Sequence, residues 1–196
     1  MTESKAFELG LFELKSDSSI DNYGVEIVTQ PMTLKYFVDN ILQGGTLDGF
    51  FDALSRYGNS NESCGMHIHV SRSGLTSDFC KSLAFFAHHN GTILFKVSER
   101  DEKDKFLEWA NNRYYLEDYD SDLESDFDEF SNLVCLTESR YQSFNFCNAK
   151  TIGCRIFAST EDADKVEKRI KWYNKIIDFC NDTSTDLING GKELCV

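Results

Sequence analysis

Arg140-Tyr-Gln-Ser-Phe-Asn-Phe-Cys147, Asn148-Ala-Lys150 and Thr151-Ile-Gly-Cys-Arg-Ile-Phe-Ala158 follow one another in the last third of the chain. In the final segment Ile152, Cys154 and Ile156 alternate with Thr151, Gly153 and Arg155, the period of two of a strand with one buried face. The segment Arg140–Cys147 carries a second strand signal, and the connection between the two is short enough for a hairpin. A local hairpin implies antiparallel pairing, and amphipathic helices elsewhere in the chain must then cover one face. The expected class is α+β, a mostly antiparallel sheet with helices packed on one face.

Working outward, Ser63-Cys-Gly-Met-His-Ile-His-Val70 predicts another strand, with Met66, Ile68 and Val70 on one side and His67 and His69 on the other. Tyr23–Pro31 reads as a strand in which Val25 and Ile27 alternate with Glu26, and Lys15–Ser19 reads as a turn. Leu34, Phe37, Val38, Ile41 and Leu42 have helical spacing before Gly44-Gly45, as do Leu47, Phe50, Phe51 and Leu54 before Gly58. A helix is expected from Thr76 or Ser77 to about Val97, a short one over Glu102–Ala110, one bearing Phe127, Phe130 and Val134, and a last one from Asp162 to Cys180. The domain organisation expected is an N-terminal extension (1–14), one domain (15–182) with an acidic insertion near 117–129, and a tail (183–196).

The composition supports a packed core: 41% of the 196 residues are hydrophobic and 13% aromatic, 16 of them Phe. A net charge of -13 argues against nucleic-acid and anionic-membrane partners, because both need a surplus of Lys and Arg. No apolar run is long enough to span a bilayer and the N-terminus has no signal-peptide profile, so a soluble cytoplasmic protein is expected. Seven cysteines without regular Cys-x-x-Cys spacing suit reduced, buried thiols better than a disulfide framework.

Several side chains could carry chemistry. His67 and His69, two apart on a strand, can face one cleft and suit a metal or a developing negative charge; two half-exposed strand histidines are the plain alternative. Asp17 in a turn and Glu26 inside an apolar strand point to a cation or an arginine partner, against an outward edge-strand glutamate. Arg155 within an apolar strand suits bidentate capture of carboxylate or phosphate, or a structural pair with an acid such as Glu26. Arg140 and Asn145 are weaker candidates of the same kind. Asp118, Asp120, Asp122, Asp126 and Glu129 mimic calcium-loop spacing, but Leu123 stands where the turn needs glycine, so a solvated acidic loop explains them better. Cys64, three residues before His67, makes a Cys/His zinc site conceivable, with no second cluster nearby.

In order, Asp17-Ser-Ser19, Gly24-Val-Glu-Ile-Val-Thr-Gln-Pro31, Ser63–Val70 and Asn145 … Thr151-Ile-x-x-Arg-Ile-Phe157 resemble the amidoligases, a carboxylate–amine ligase family similar to glutamate–cysteine ligases and, more distantly, glutamine synthetase. The resemblance spans roughly residues 15–180. It implies a glutamine synthetase-like catalytic fold and ATP- and Mg²⁺-dependent joining of a small-molecule acid to an amine through an acyl phosphate. It also implies that Asp17, Glu26 and His67 match metal- or phosphate-facing positions with His69 close by, and that Arg155 matches the arginine steadying the transferred phosphoryl group.

Two departures stand out. The opening Gly-x-Glu-x-Glu strand of the family is absent, since Glu8 and Glu13 lack that spacing, and Gly153 stands where the late motif has glutamate. Too few hard oxygen ligands then remain for a full Mg²⁺ site. The expectation is a degenerate enzyme (a pseudoenzyme), or one completed by a protein partner or a second copy of the chain. Alternatives are a non-catalytic binding or assembly subunit of the same fold, and a zinc-dependent hydrolase using His67 and His69.

Overall fold

The computed structural model describes residues 10–17, 20, 24–42, 50–58, 60–61, 63–76, 78–100 and 142–188, the side chains of 88–89 and 183–188 aside. Arg140, the acidic stretch 117–129 and the expected helices at 102–110 and 127–134 lie outside these residues. The architecture is α+β with antiparallel sheets. The chain divides into two compact units, Met1–Cys64 with Ser159–Ile170, and Gly65–Ala158 with Lys171–Val196.

The first unit holds a two-stranded antiparallel sheet of β1 (Phe12–Ser16) and β2 (Val25–Thr29), with Leu14 opposite Ile27 and Lys15 opposite Glu26. β1 was not legible as a strand. Its Lys15 and Ser16 belong to the ladder, and the turn begins at Asp17, whose carbonyl accepts from the Ile20 amide. α1 (Leu34–Phe37) starts on the Thr33 side chain, which accepts from the Tyr36 amide at 3.1 Å, and passes into a π-helical turn at Val38–Leu42. α2 spans Phe50–Tyr57. Phe12 and Ile41 are buried among Leu11, Met32, Phe37, Phe50 and Phe51, with the Phe12 and Phe50 rings stacked 4.6 Å apart.

The second unit holds a three-stranded antiparallel sheet in the order β3 (Gly65–Ser71), β5 (Thr151–Ala158), β4 (Phe144–Asn145). Ile152, Cys154, Ile156, Phe157 and Phe144 are buried against α3 (Phe79–His89), α4 (Gly91–Ser98) and the Lys171-onward part of α5 (Ala163–Ile188), through Phe79, Leu83, Leu94, Tyr173 and Ile177. Met66, Ile68 and Val70 pack on the same core, as their alternation required. The pairing shifts by one residue after Met66, so that Arg155 and Ile156 together face His67. This β-bulge lets the consecutive Ile156 and Phe157 both be buried.

Three expectations need correction. The continuous helix from Thr76 or Ser77 to about Val97 is two helices, the first beginning at Phe79, with a break at Asn90. There the Asn90 side chain donates to the Phe86 carbonyl at 2.9 Å, competing with the helix backbone, and Gly91 has low helix propensity. Of the strand expected at Arg140–Cys147, the described residues 142–147 contribute Phe144 and Asn145 to the ladder. Beyond it the side chains of Asn145 and Asn148 accept from the amides of Cys147 and Lys150, both at 2.9 Å, and curl the chain into successive turns. The last helix runs on from Cys180 to Ile188, with neither Gly nor Pro to stop it before Gly190.

Candidate functional site

Because β5 is the central strand, side chains from all three strands line up across the sheet face opposite the core. Gly153 pairs with His69 on one side and Asn145 on the other, which places Asn145, Gly153 and His69 in one row. Arg155 follows in the next row on β5, its amide donating to the Ser143 carbonyl at 2.9 Å, with His67 opposite the bulge. Of the expected site residues, the structure therefore brings His67, His69, Asn145 and Arg155 to a single face. No Asp or Glu stands among the described positions of that face, which otherwise carry Gly65, Ser71, Thr151 and Ala158.

Two glycines shape it. A Cβ on Gly153 would lie 2.9 Å from His69 Cε1, 3.2 Å from Nδ1 and 3.3 Å from Nε2, so the imidazole lies against the β5 backbone. A Cβ on Gly65 would lie 3.0 Å from Arg100 Nη2 and 3.6 Å from His67 Nε2, so a guanidinium and an imidazole meet over that glycine. His69 is exposed and His67 half-buried, and the His69 Nδ1 lies 3.4 Å from the Thr151 hydroxyl.

Asp17 and Glu26 belong to the first unit. Glu26 is half-buried while its neighbours Val25 and Ile27 are 53% and 38% exposed, so the strand turns its acid, not its apolar pair, to the more covered side. The expected alternation of Val25 and Ile27 with Glu26 holds, and Glu26 lies on the more covered side.

Arg72 and Arg100 had no place in the expected site. Arg100 is buried and donates to the Ile156 carbonyl at 2.9 Å and the Phe157 carbonyl at 3.0 Å, thereby holding the bulge in place. Glu99, in the left-handed region with φ 55°, ends α4 and turns the chain at that point. Arg72 donates to the carbonyls of Asn148 (2.9 Å) and Phe146 at the β4–β5 connection. Neither residue sits in a strand of alternating pattern, so periodicity gave no reason to single them out.

The described cysteines are free thiols. Cys154 and Cys180 are buried, and burial pushes each thiol up to about 12; Tyr173 beside them is raised well above its usual value for the same reason, reinforced by Cys154, Cys180 and Cys80. These are core groups and not nucleophiles at neutral pH. Cys147, by contrast, is exposed, against the expectation that the cysteines occupy core positions, because it lies past the end of the ladder.

Among the described residues no three His, Cys, Asp or Glu side chains are grouped so as to hold a metal ion, and no helix is long and apolar enough to cross a membrane. The donors on the sheet face, two imidazoles, a guanidinium and an amide, match an anion, whereas Mg²⁺ prefers hard oxygen ligands.

Comparison with known proteins gave one finding. Residues 3–177 match the family described as "Putative amidoligase enzyme". Neither the curated proteins nor the solved structures gave a match. With the match covering nearly all of its length, the chain belongs to the amidoligase family.

Proposed function

We propose that this chain is a degenerate carboxylate–amine ligase of glutamine synthetase-like descent, which binds the phosphate-bearing substrate of that chemistry on the outer face of the β3–β5–β4 sheet. Ligases of this kind join an acid to an amine through an acyl phosphate made from ATP with Mg²⁺. The observation that carries the proposal is the shared face of His67, His69, Asn145 and Arg155, free of acids among the described positions. A guanidinium projecting from a sheet face binds phosphoryl or carboxylate oxygens through paired N–H donors. Asn145 and the imidazoles add directional hydrogen bonds to the same anion.

The donor set of this face does not suit Mg²⁺. A chain with this face alone would hold nucleotide without completing ligation, unless a partner or a second copy supplied acids. The zinc-hydrolase alternative requires a third ligand beside His67 and His69, and the described residues offer no such grouping.

A thermal-shift measurement with ATP, with and without Mg²⁺, tests the reading. At ATP a hundredfold above its dissociation constant the folded state gains about 2.7 kcal/mol. The expected result is a raised melting temperature in the wild type, largely lost in Arg155→Ala. A wild-type melting temperature unmoved by ATP in either condition sinks the proposal. ADP release by the isolated chain in an amino-acid mixture would instead show that the machinery is complete.

A further inference from the structure

We infer that Gly153 and Thr151 are positioning residues for His69, forming a seat that fixes its imidazole on the binding face; the inference rests on the reading of that face given above. Gly153 is not required by backbone conformation, since its φ lies outside the positive range at which glycine is favoured. What it provides is room. Three ring atoms of His69 come within 2.9–3.3 Å of where a Cβ would stand, closer than side chains tolerate without movement. His69 and Gly153 are direct cross-strand partners, so the ring folds onto the residue opposite it instead of standing away from the sheet.

The second part of the seat is Thr151, one row along β5 and opposite Ser71. Its hydroxyl lies 3.4 Å from His69 Nδ1. A partner at one ring nitrogen selects the tautomer and so decides which nitrogen carries the proton presented to a ligand. His69 is exposed and can rotate off the sheet if crowded. A methyl group at 153 therefore displaces the ring without unfolding the strand.

The test is a double-mutant cycle of Gly153→Ala and His69→Ala on the full chain, read by melting temperature without ligand and by the His69 ring Cε1–H resonance. The chain has 4 histidines, and the His69 signal is identified as the one missing from His69→Ala. The expected results are a shifted His69 resonance and a lowered melting temperature in Gly153→Ala. In the His69→Ala background the same glycine replacement is neutral or slightly stabilising. Thr151→Val shifts the resonance, and Thr151→Ser preserves it. ATP affinity falls about tenfold in Gly153→Ala, the size expected when a supporting group is lost.

An unmoved resonance in Gly153→Ala overturns the inference, as does an equal loss of melting temperature with and without the His69 ring. Should wild-type protein fail to bind ATP while the cycle shows coupling, the functional reading fails and the seat stands.

Discussion

The two sheets of this chain are built on opposite terms. In β3–β5–β4 the apolar side chains turn onto a broad core and the polar set shares the opposite face. In β1–β2 the buried centre is Phe12 and Ile41, while Leu14, Val25 and Ile27 keep 52%, 53% and 38% of their surface exposed. Full burial of a large apolar side chain stabilises by about 1.5–3 kcal/mol, so most of the hydrophobic stabilisation visible in the described residues resides in the second unit. The lesson is that the residues expected to act together rest on supports of unequal strength: His67, His69, Asn145 and Arg155 on a well-packed sheet, Asp17 and Glu26 on a thinly packed one.

The sharpest way to break this contrast is to hollow out the stronger core. Phe144 is fully buried and stacks on Tyr173 with ring centroids 5.8 Å apart. Phe144→Ala is expected to cost about 3–5 kcal/mol in urea unfolding, and a loss below about 1 kcal/mol would mean that the core is not as closely packed as described. Next in size is a pH effect confined to the same core. Unfolded thiols release their protons near 9.0, while folded Cys154 and Cys180 hold theirs to about 12. Their contribution is thus whole below the unfolded value and lost as pH rises through this window. Melting temperature should fall on going from about pH 8 to 11, and fall less steeply in the Cys154→Ala/Cys180→Ala variant; equal slopes would contradict the burial of these thiols. The smallest effect belongs to the first unit. Val25→Thr, at an exposed strand position, is expected to change stability by no more than about 0.5 kcal/mol. A loss several times larger would show that Val25 is covered in solution.

Legibility in the sequence followed the same divide. β3 and β5 were readable because their alternation survives intact from Met66 to Val70 and from Thr151 to Ile156, and the face carrying His67, His69 and Arg155 came with it. β1 was not readable, because Phe12-Glu-Leu-Lys-Ser16 is short and carries the charges of Glu13 and Lys15, and its strand form rests on pairing with β2. The break at Asn90 was masked by apolar spacing that continues through it, although Asn90-Gly91 is a weak helix pair, and the hydrogen bond of the asparagine confirms the interruption. The bulge at Arg155–Ile156 and the arginine holding it are tertiary features: Arg100 reaches carbonyls 56 and 57 residues away, a relation no local pattern encodes. In the sequence Gly153 stands out as a missing carboxylate, whereas its contact with His69 is a property of register and exists only in three dimensions.

The Arg72 guanidinium makes a local motif depend on a distant part of the chain. β4 and β5 are neighbours in sequence, and such a hairpin would ordinarily close early and unaided. Here the ladder between them is two residues long among the described residues, and carbonyls at its connecting loop find their donor on a side chain 74 and 76 residues upstream. This hairpin is therefore completed from outside itself, so a motif that is local along the chain depends for its last bonds on a long-range contact.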